Sequence, residues 1–347
     1  MESLNQLTIP LLVWYRENAR DLPWRRQSAP YHVWVSEIML QQTRVAAVLD
    51  YYRRFLDELP DVAALARVPE DRLMKLWQGL GYYSRARNLR RAAEQIMSVH
   101  GGIFPNTYKE IRELPGVGDY TAGAVASIAF GLPTPAVDGN VLRVIARITG
   151  DEGDISTPAM KKRVTEALAQ VIPLDAPGAY NQALMELGAM VCLPNGAPLC
   201  EKCPAAHLCA AYQQGRTGEL PVKAPKKSRR EEERTVYLIF WEDCVALRRR
   251  PAKGLLAGLW EYPNAPAGED ALSQWGLHPV KTERAGTARH IFTHIQWNME
   301  GVAAELDGPE LPQGWVWASR GALEREYAVP NAFQGFQKAV EQRLGRF

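Results

Sequence analysis

Cys192, Cys200, Cys203 and Cys209 fall within eighteen residues, spaced C-x7-C-x2-C-x5-C. Four thiols so close along a chain must share one small volume, whatever fold surrounds them. No charged-then-apolar leader precedes them, so disulfides are not the expected pairing, and a bound metal is. Zinc and an iron–sulfur cluster both accept four thiolates, and spacing alone leaves the two open. The fifth cysteine, Cys244, stands apart in an expected strand as a small buried hydrophobe.

A length of 347 residues corresponds to about two domains. No apolar run approaches the roughly 20 residues needed to span a bilayer, so the expectation is a soluble, cytoplasmic protein, nucleoid-associated if bacterial, with no membrane partner. The net charge of +2 does not by itself point to nucleic acid. Its distribution is more telling. Residues Tyr82 to Arg91, YYSRARNLRR, carry four arginines and no acid, interleaved with aromatics. Such a run is either a DNA-facing segment or a solvated helix face.

Helical patterning fills the first part of the chain: Leu4 to Asn18, Tyr31 to Arg44, Ala46 to Glu58, Val62 to Ala66, Glu70 to Trp77, Ser84 to His100, Thr157 to Ile172 and Tyr180 to Val191. An all-α domain over 1–215 follows. In the second of these helices Glu37 shares a face with Val33 and Leu40, which predicts partial desolvation and a raised pKa suited to a proton donor. A structural glutamate paired to an arginine satisfies the same pattern.

The stretch LPGVGDYTAGAVASIAFGLPTPAVDGN, Leu114 to Asn140, reads as helix, tight turn, helix, with the helix–hairpin–helix near 108–130. Backbone N–H groups at Gly116, Gly118 and the next helix's first turn lack intrahelical partners, and with the helix dipole they form a site for an anion such as a DNA phosphate. An ordinary corner between helices has the same glycines. Beyond the Pro133/Pro135 break, Asp138 precedes another helix start, where the dipole and orphan N–H groups are expected to keep it ionised.

The combination of GLGYYSRARNL, ELPGVGDYTAGAVAS, AVDGNVLRV, NQALMELGAMVC and the four-cysteine loop at 192–209 resembles the helix–hairpin–helix DNA glycosylases, and within them the MutY-type adenine glycosylases. The resemblance covers residues 1 to about 215. It implies a [4Fe–4S] cluster on the four cysteines, although the first spacer, LPNGAPL, is one residue longer than the usual six. It also implies that Glu37 protonates adenine at N7 and helps water attack, and that Asp138 stabilises the sugar cation, with Tyr120 and Asn140 lining the same pocket. Gln42 and Tyr82 become wedges near the orphaned base, and Trp24, Arg25 and Gln182 surround the flipped adenine. The resembling endonuclease III enzymes carry a lysine at the position of Tyr120, where it forms a Schiff base. Tyr120 cannot do this, so a monofunctional enzyme is expected.

Residues 216–234 hold seven basic and four acidic residues and two prolines, and read as a basic linker whose lysines can touch DNA. Beyond it strands are expected at Thr235 to Trp241, Cys244 to Arg248 and Gly314 to Ala318, with helices at Asp270 to Trp275 and Phe333 to Leu344, giving an α+β domain over 235–347. GLLAGLWEYP and HIFTHIQW resemble the Nudix-like C-terminal domain of the same family. The hydrolytic REuxEE core (u aliphatic) is absent, so no Mg²⁺ site is expected. By resemblance Phe292, Thr293 and His294 stand where the family's Phe-Ser-His loop reads 8-oxoguanine. The whole predicts a monomer that excises adenine mispaired with 8-oxoguanine or G in double-stranded DNA. Two alternatives stay open: an endonuclease III-like glycosylase for oxidised pyrimidines, and a non-catalytic iron–sulfur DNA-binding protein.

Overall fold

A computed structural model describes residues 2–225 and 228–345. Lys226 and Lys227, two of the linker lysines expected to touch DNA, lie outside the described residues. Contacts divide the chain into two compact units: Met1–Arg67 with Asn88–Pro225, and Val68–Arg87 with Lys226–Phe347. This differs from the expected boundary, because residues 68–87 pack with the second unit.

The first unit is helical. It contains α1 (Glu2–Asn18), α2 (Pro23–Arg26), α3 (Pro30–Leu40), α4 (Val45–Glu58) and α5 (Val62–Arg67). After α6 (Glu70–Trp77) of the second unit come α7 (Ser84–Val99), α8 (Tyr108–Arg112), α9 (Asp119–Phe130), α10 (Gly139–Thr149), α11 (Pro158–Ala169), α12 (Pro177–Met190) and α13 (Ala210–Gln213). The helix expected over Tyr31 to Arg44 stops at Leu40, because Gln42 takes φ 57°, which no right-handed helix continues. Val33, Trp34, Val35, Ile38 and Met39 bury α3 on all sides, the pattern of a core helix rather than a surface one. A second core forms where Val141, Val144, Ile145 and Ile148 of α10 meet Leu184 and Leu187 of α12 and Leu4, Leu7 and Leu11 of α1.

Small residues let α9 and α12 approach their neighbours closely. A Cβ on Gly123 would lie 2.2 Å from the Pro135 carbonyl oxygen, and one on Gly178 would lie 2.8 Å from Ile128 Cα. Between these helices runs the segment 132–137, and Asn181 pins it. Its Oδ1 accepts from Ala136 N at 3.0 Å, while its Nδ2 donates to Ser127 Oγ and to the Thr134 carbonyl at 2.8 Å each. Buried, this amide satisfies backbone groups that the two prolines leave outside regular structure. The start of α10, and with it Asp138, is thereby fixed against α9 and α12.

The second unit is built on a seven-stranded mixed sheet: β1 (Arg230–Trp241), β2 (Cys244–Arg249), β3 (Trp260–Glu261), β4 (Asn264–Pro266), β5 (Lys281–Ile291), β6 (Ile295–Glu305) and β7 (Trp315–Ser319), with α14 (Ala271–Gln274), α15 (Arg320–Arg325) and α16 (Gln334–Leu344). The order is β3-β2-β1-β6-β5, with β4 on β1 and β7 on β2. β1 and β6 run parallel, and the other pairs are antiparallel. β1 begins at Arg230, so the last part of the expected linker is strand. One face packs Phe336, Val340 and Leu344 of α16 onto Val236, Leu238, Trp297 and Met299, and the other holds Tyr237, Ile239, Ala246 and Leu277.

The segment 68–87 is tied to this unit by polar contacts. Lys75 Nζ donates to the Leu323 carbonyl at 2.7 Å, Gln78 Nε2 to that of Val329 at 2.7 Å, and Arg87 Nη2 to that of Ala257 at 2.7 Å. These contacts also alter the reading of the arginine-rich run. Arg85 is buried, donates to the Leu80 and Gly81 carbonyls, and lies over the Trp77 ring at 5.3 Å. Arg87 Nε pairs with Glu70 Oε1 at 2.7 Å. Neither is an open DNA-facing cation or a solvated one. Among the described residues no helix is long and apolar enough to cross a membrane.

Gly123→Ala should destabilise the first unit by about 1–3 kcal/mol, because the new methyl meets backbone that cannot swing aside. A thermal melt checks this, and Gly118→Ala, where the same Cβ meets open space, should melt within a degree or two of the wild type.

Candidate active site

Glu37 lies in the second half of α3 with only 6 % of its surface exposed. Tyr120, in the first turn of α9, donates from Oη to Glu37 Oε2 at 2.5 Å. Burial pushes the Glu37 carboxyl up to about 7, outweighing the Tyr120 hydrogen bond, which favours the anion; Asp138 raises it further and Arg25 lowers it. Burial and the neighbouring acids hold the Tyr120 hydroxyl well above its usual range, so it stays a donor.

Asp138 is the N-cap of α10. Its Oδ1 accepts from Val141 N and its Oδ2 from Asn140 Nδ2, both at 2.8 Å. The N–H donors at the helix start favour the ionised form, as expected, and burial opposes them. Burial raises its pKa, and the N–H donors only partly offset that. Asn140 Oδ1 in turn accepts from Arg143 Nη2 at 2.9 Å, and Arg143 donates to the carbonyls of Gly188 and Cys192 at 2.8 Å. A ladder of hydrogen bonds therefore runs from Asp138 to the cysteine loop.

A pocket of about 750 Å³ opens over these groups, large enough for a nucleoside. Trp24, Arg25, Glu37, Gln42, Tyr120, Asp138, Asn140 and Gln182, all named from sequence, line it. Trp24 presents little surface there, being 6 % exposed and edge-on to Tyr52 at 5.3 Å. Gln182 Oε1 is oriented by the Tyr15 hydroxyl at 3.0 Å.

Sequence reasoning missed Glu186. Buried on α12, it receives Arg20 Nε at 2.7 Å and Arg25 Nη2 at 2.7 Å. Burial alone would raise its pKa, but the two guanidiniums hold it at about 2. The sole signal was one acid inside the apolar run NQALMELGAM, and its partners are more than 160 residues away. Lys161 of α11 and Arg44 also line the pocket unforeseen.

The hairpin lies outside that lining. Gly116 takes φ 75° and a Cβ there would lie 2.6 Å from Asn88 Cβ, so glycine is required. Gly118, the N-cap of α9, has no side chain capping the helix and open space where a Cβ would be. Beside it Arg112 Nε pairs with Asp119 Oδ1 at 2.6 Å.

Cys192, Cys200, Cys203 and Cys209 line a separate, largely apolar pocket. Arg147 Nη1 donates to Cys192 Sγ at 3.2 Å. Burial pushes the Cys203 thiol up to about 12 and raises Cys200 and Cys209, so only a bound cation would hold them as thiolates. Among the described residues no three His, Cys, Asp or Glu could hold a single metal ion.

In the second unit Phe292, Thr293 and His294 connect β5 to β6 and border a cavity of about 500 Å³ together with Tyr82. The Tyr82 Oη and Thr293 Oγ1 are 3.3 Å apart. Tyr82 has φ 46°, and Gln42 in the first unit has φ 57°. They are two of four non-glycine residues among the described ones in the left-handed region, with Glu242 and Leu256, and such strain is found at functional positions as well as at turns.

Residues 35–171 match the family described as HhH-GPD superfamily base excision DNA repair protein, and 235–339 match the NUDIX domain. Mouse adenine DNA glycosylase is 36 % identical over 374 residues, covering 88 % of this chain and 72 % of that one. The chain belongs to the adenine DNA glycosylases. Among them the protein so named in Buchnera aphidicola subsp. Baizongia pistaciae is 36 % identical over 290 residues, covering 82 % of each chain. A solved thermostable thymine-DNA glycosylase is 30 % identical with a TM-score of 0.57, over 61 % of this chain and 98 % of that one. An endonuclease III–DNA complex shares the fold at 24 % identity, TM-score 0.52, over 61 % and 97 %. The matched segment contains the hairpin, Glu37 and Asp138 of this adenine DNA glycosylase family member, while Glu186 and the four cysteines lie beyond it.

The raised Glu37 pKa has a thermodynamic consequence. Below its ordinary value near 4.5 both folded and unfolded chains bind the proton; between 4.5 and about 7 only the folded chain does, so stability falls as pH rises through that window. The loss totals about 3 kcal/mol. Glu37→Gln should remove it, so that the variant's melting advantage over the wild type grows from pH 4.5 to 7 and then levels off. A constant difference across that window would contradict the assignment.

Proposed function

We propose that this chain flips adenine out of double-stranded DNA where it stands opposite 8-oxoguanine or G, cleaves its N-glycosidic bond as a monomer, and leaves an abasic site. One observation carries the reading: a buried Glu37 on a tyrosine hydroxyl shares a nucleoside-sized pocket with a second carboxylate, Asp138. The resemblance to adenine DNA glycosylases supports the choice of base.

An N-glycosidic bond breaks through an oxocarbenium-like sugar, so the leaving base needs a proton and the sugar needs a negative charge beneath it. With a pKa of about 7, Glu37 carries a proton for about half the molecules at neutral pH. It delivers that proton to N7 of adenine, and its anion then takes a proton from the attacking water. Asp138 faces the cation, held by Val141 N and the Asn140 amide so that its oxygens do not rotate away. Tyr120 stands where a Schiff-base lysine would, so the strand is not nicked at the abasic site. Extruding the base costs a few kcal/mol, offset by side chains that fill the gap. Gln42 and Tyr82 take that role, while Phe292, Thr293 and His294 read the opposite base.

Four thiols facing one apolar cavity, with an arginine N–H on one sulfur, form a donor set that fits a [4Fe–4S] cluster, which takes one thiolate per iron. When bound, the cluster cross-links the 192–209 loop. Purified protein should contain iron and acid-labile sulfide in cluster proportions, and Cys203→Ser should lose both together with thermal stability. Zinc in their place would contradict this.

A duplex with one A opposite 8-oxoguanine should be cut after incubation only when hot alkali follows. Glu37→Gln and Asp138→Asn should each slow adenine release by at least about 100-fold. Cutting of an oxidised-pyrimidine duplex instead would favour an endonuclease III-like enzyme.

A further inference from the structure

Among the described residues four cations line the pocket: Arg20, Arg25, Arg44 and Lys161. The first two are committed to Glu186, with Arg20 Nε and Nη2 at 2.7 and 2.8 Å and Arg25 Nη1 and Nη2 at 3.2 and 2.7 Å from its oxygens. Among the described residues, neither Arg44, the exposed N-cap residue of α4, nor Lys161, half-buried in the first turn of α11, has a carboxylate within ion-pair distance. Asp119 is held below the usual carboxylate range first by its hydrogen bond from Arg112 and also by the charge of Lys161, which places that ammonium on the hairpin side of the pocket.

The charge balance shows what these two cations are for. Asp138 already raises the cost of ionising Glu37 inside this pocket. A nucleotide entering it brings a phosphate on either side, adding two negative charges at the mouth. Without local cations that approach is opposed by the same carboxylates the reaction needs. Resting on the reading of this pocket as the nucleotide site, we propose that Lys161 and Arg44 bind the two phosphates flanking the flipped nucleotide. Neither lies in a recognisable motif, and each acts as a charge at the rim rather than as a group touching the base.

The test is the salt dependence of binding to an A:G duplex, measured in the Glu37→Gln protein so that the DNA stays intact. Each phosphate contact contributes about 0.9 to the slope of log K against log salt. Lys161→Gln and Arg44→Gln should each make the slope shallower by about that amount and together by about 1.8, and Lys161→Arg should restore it. Lys162 is the control: it follows Lys161 on the same helix but points to solvent, 3.8 Å from Glu166. Lys162→Gln should leave the slope as it is. Equal effects of Lys161→Gln and Lys162→Gln, or no effect of Lys161→Gln, overturn the assignment. If the wild type releases no adenine, the reading of the pocket fails; if it does and the slopes do not move, the phosphate assignment fails alone.

Discussion

The hydrogen bond from Tyr120 to Glu37 is the interaction on which the rest of the molecule depends, because it lets an acid be buried without being silenced. A glutamate sunk in apolar surroundings with no donor would remain protonated at every working pH. One fully exposed would be an anion. Desolvation by α3 and α9 raises its pKa, and a single phenol hydroxyl, supported by Arg25, draws it back to about 7, where a group both gives and takes a proton. Residues far from the pocket serve this balance by keeping water away from α3 and holding α9 against it.

The second carboxylate is positioned by a different device. Asp138 stands at the junction of an irregular segment and a helix, and such junctions drift unless their backbone groups are paired. Asn181 pairs those of the segment from the α12 side, and Gly123 and Gly178 let the backbones come close enough for it to reach. From the other side Asn140 and Arg143 join Asp138 to the carbonyl of Cys192. The cysteine loop thus shares a framework with the pocket, and both depend on α10.

Much of this was legible in the chain. The face of Glu37, the helix start at Asp138 and the four cysteines all follow from local spacing, and local spacing is what a sequence displays. The Glu186 clamp was invisible because Arg20 and Arg25 are separated from it by most of the domain, so no window contains them together. Strands β5 and β6 escaped for another reason. KTERAGTARHI is mostly exposed and carries little alternation of apolar and polar residues, and the parallel pairing of β6 with β1 is set by tertiary context. The arginine run divides, because arginine is as well suited to buried carbonyls as to phosphate: Arg85 and Arg87 bind carbonyls, while Arg91 is exposed. For Asp138 the dipole argument pointed to the helix-start N–H donors, and burial, which no local window displays, works against them.

The most direct test of this account is the protonation of Glu37 itself. With ¹³C-labelled glutamate, the Glu37 carboxyl resonance, assigned by its loss in Glu37→Gln, can be followed by NMR from acid to mild alkali in the free protein. A midpoint near 7 is the predicted result. A midpoint in the ordinary carboxylate range would mean that Glu37 is already an anion at neutral pH, and the acid in this pocket would have to be sought elsewhere.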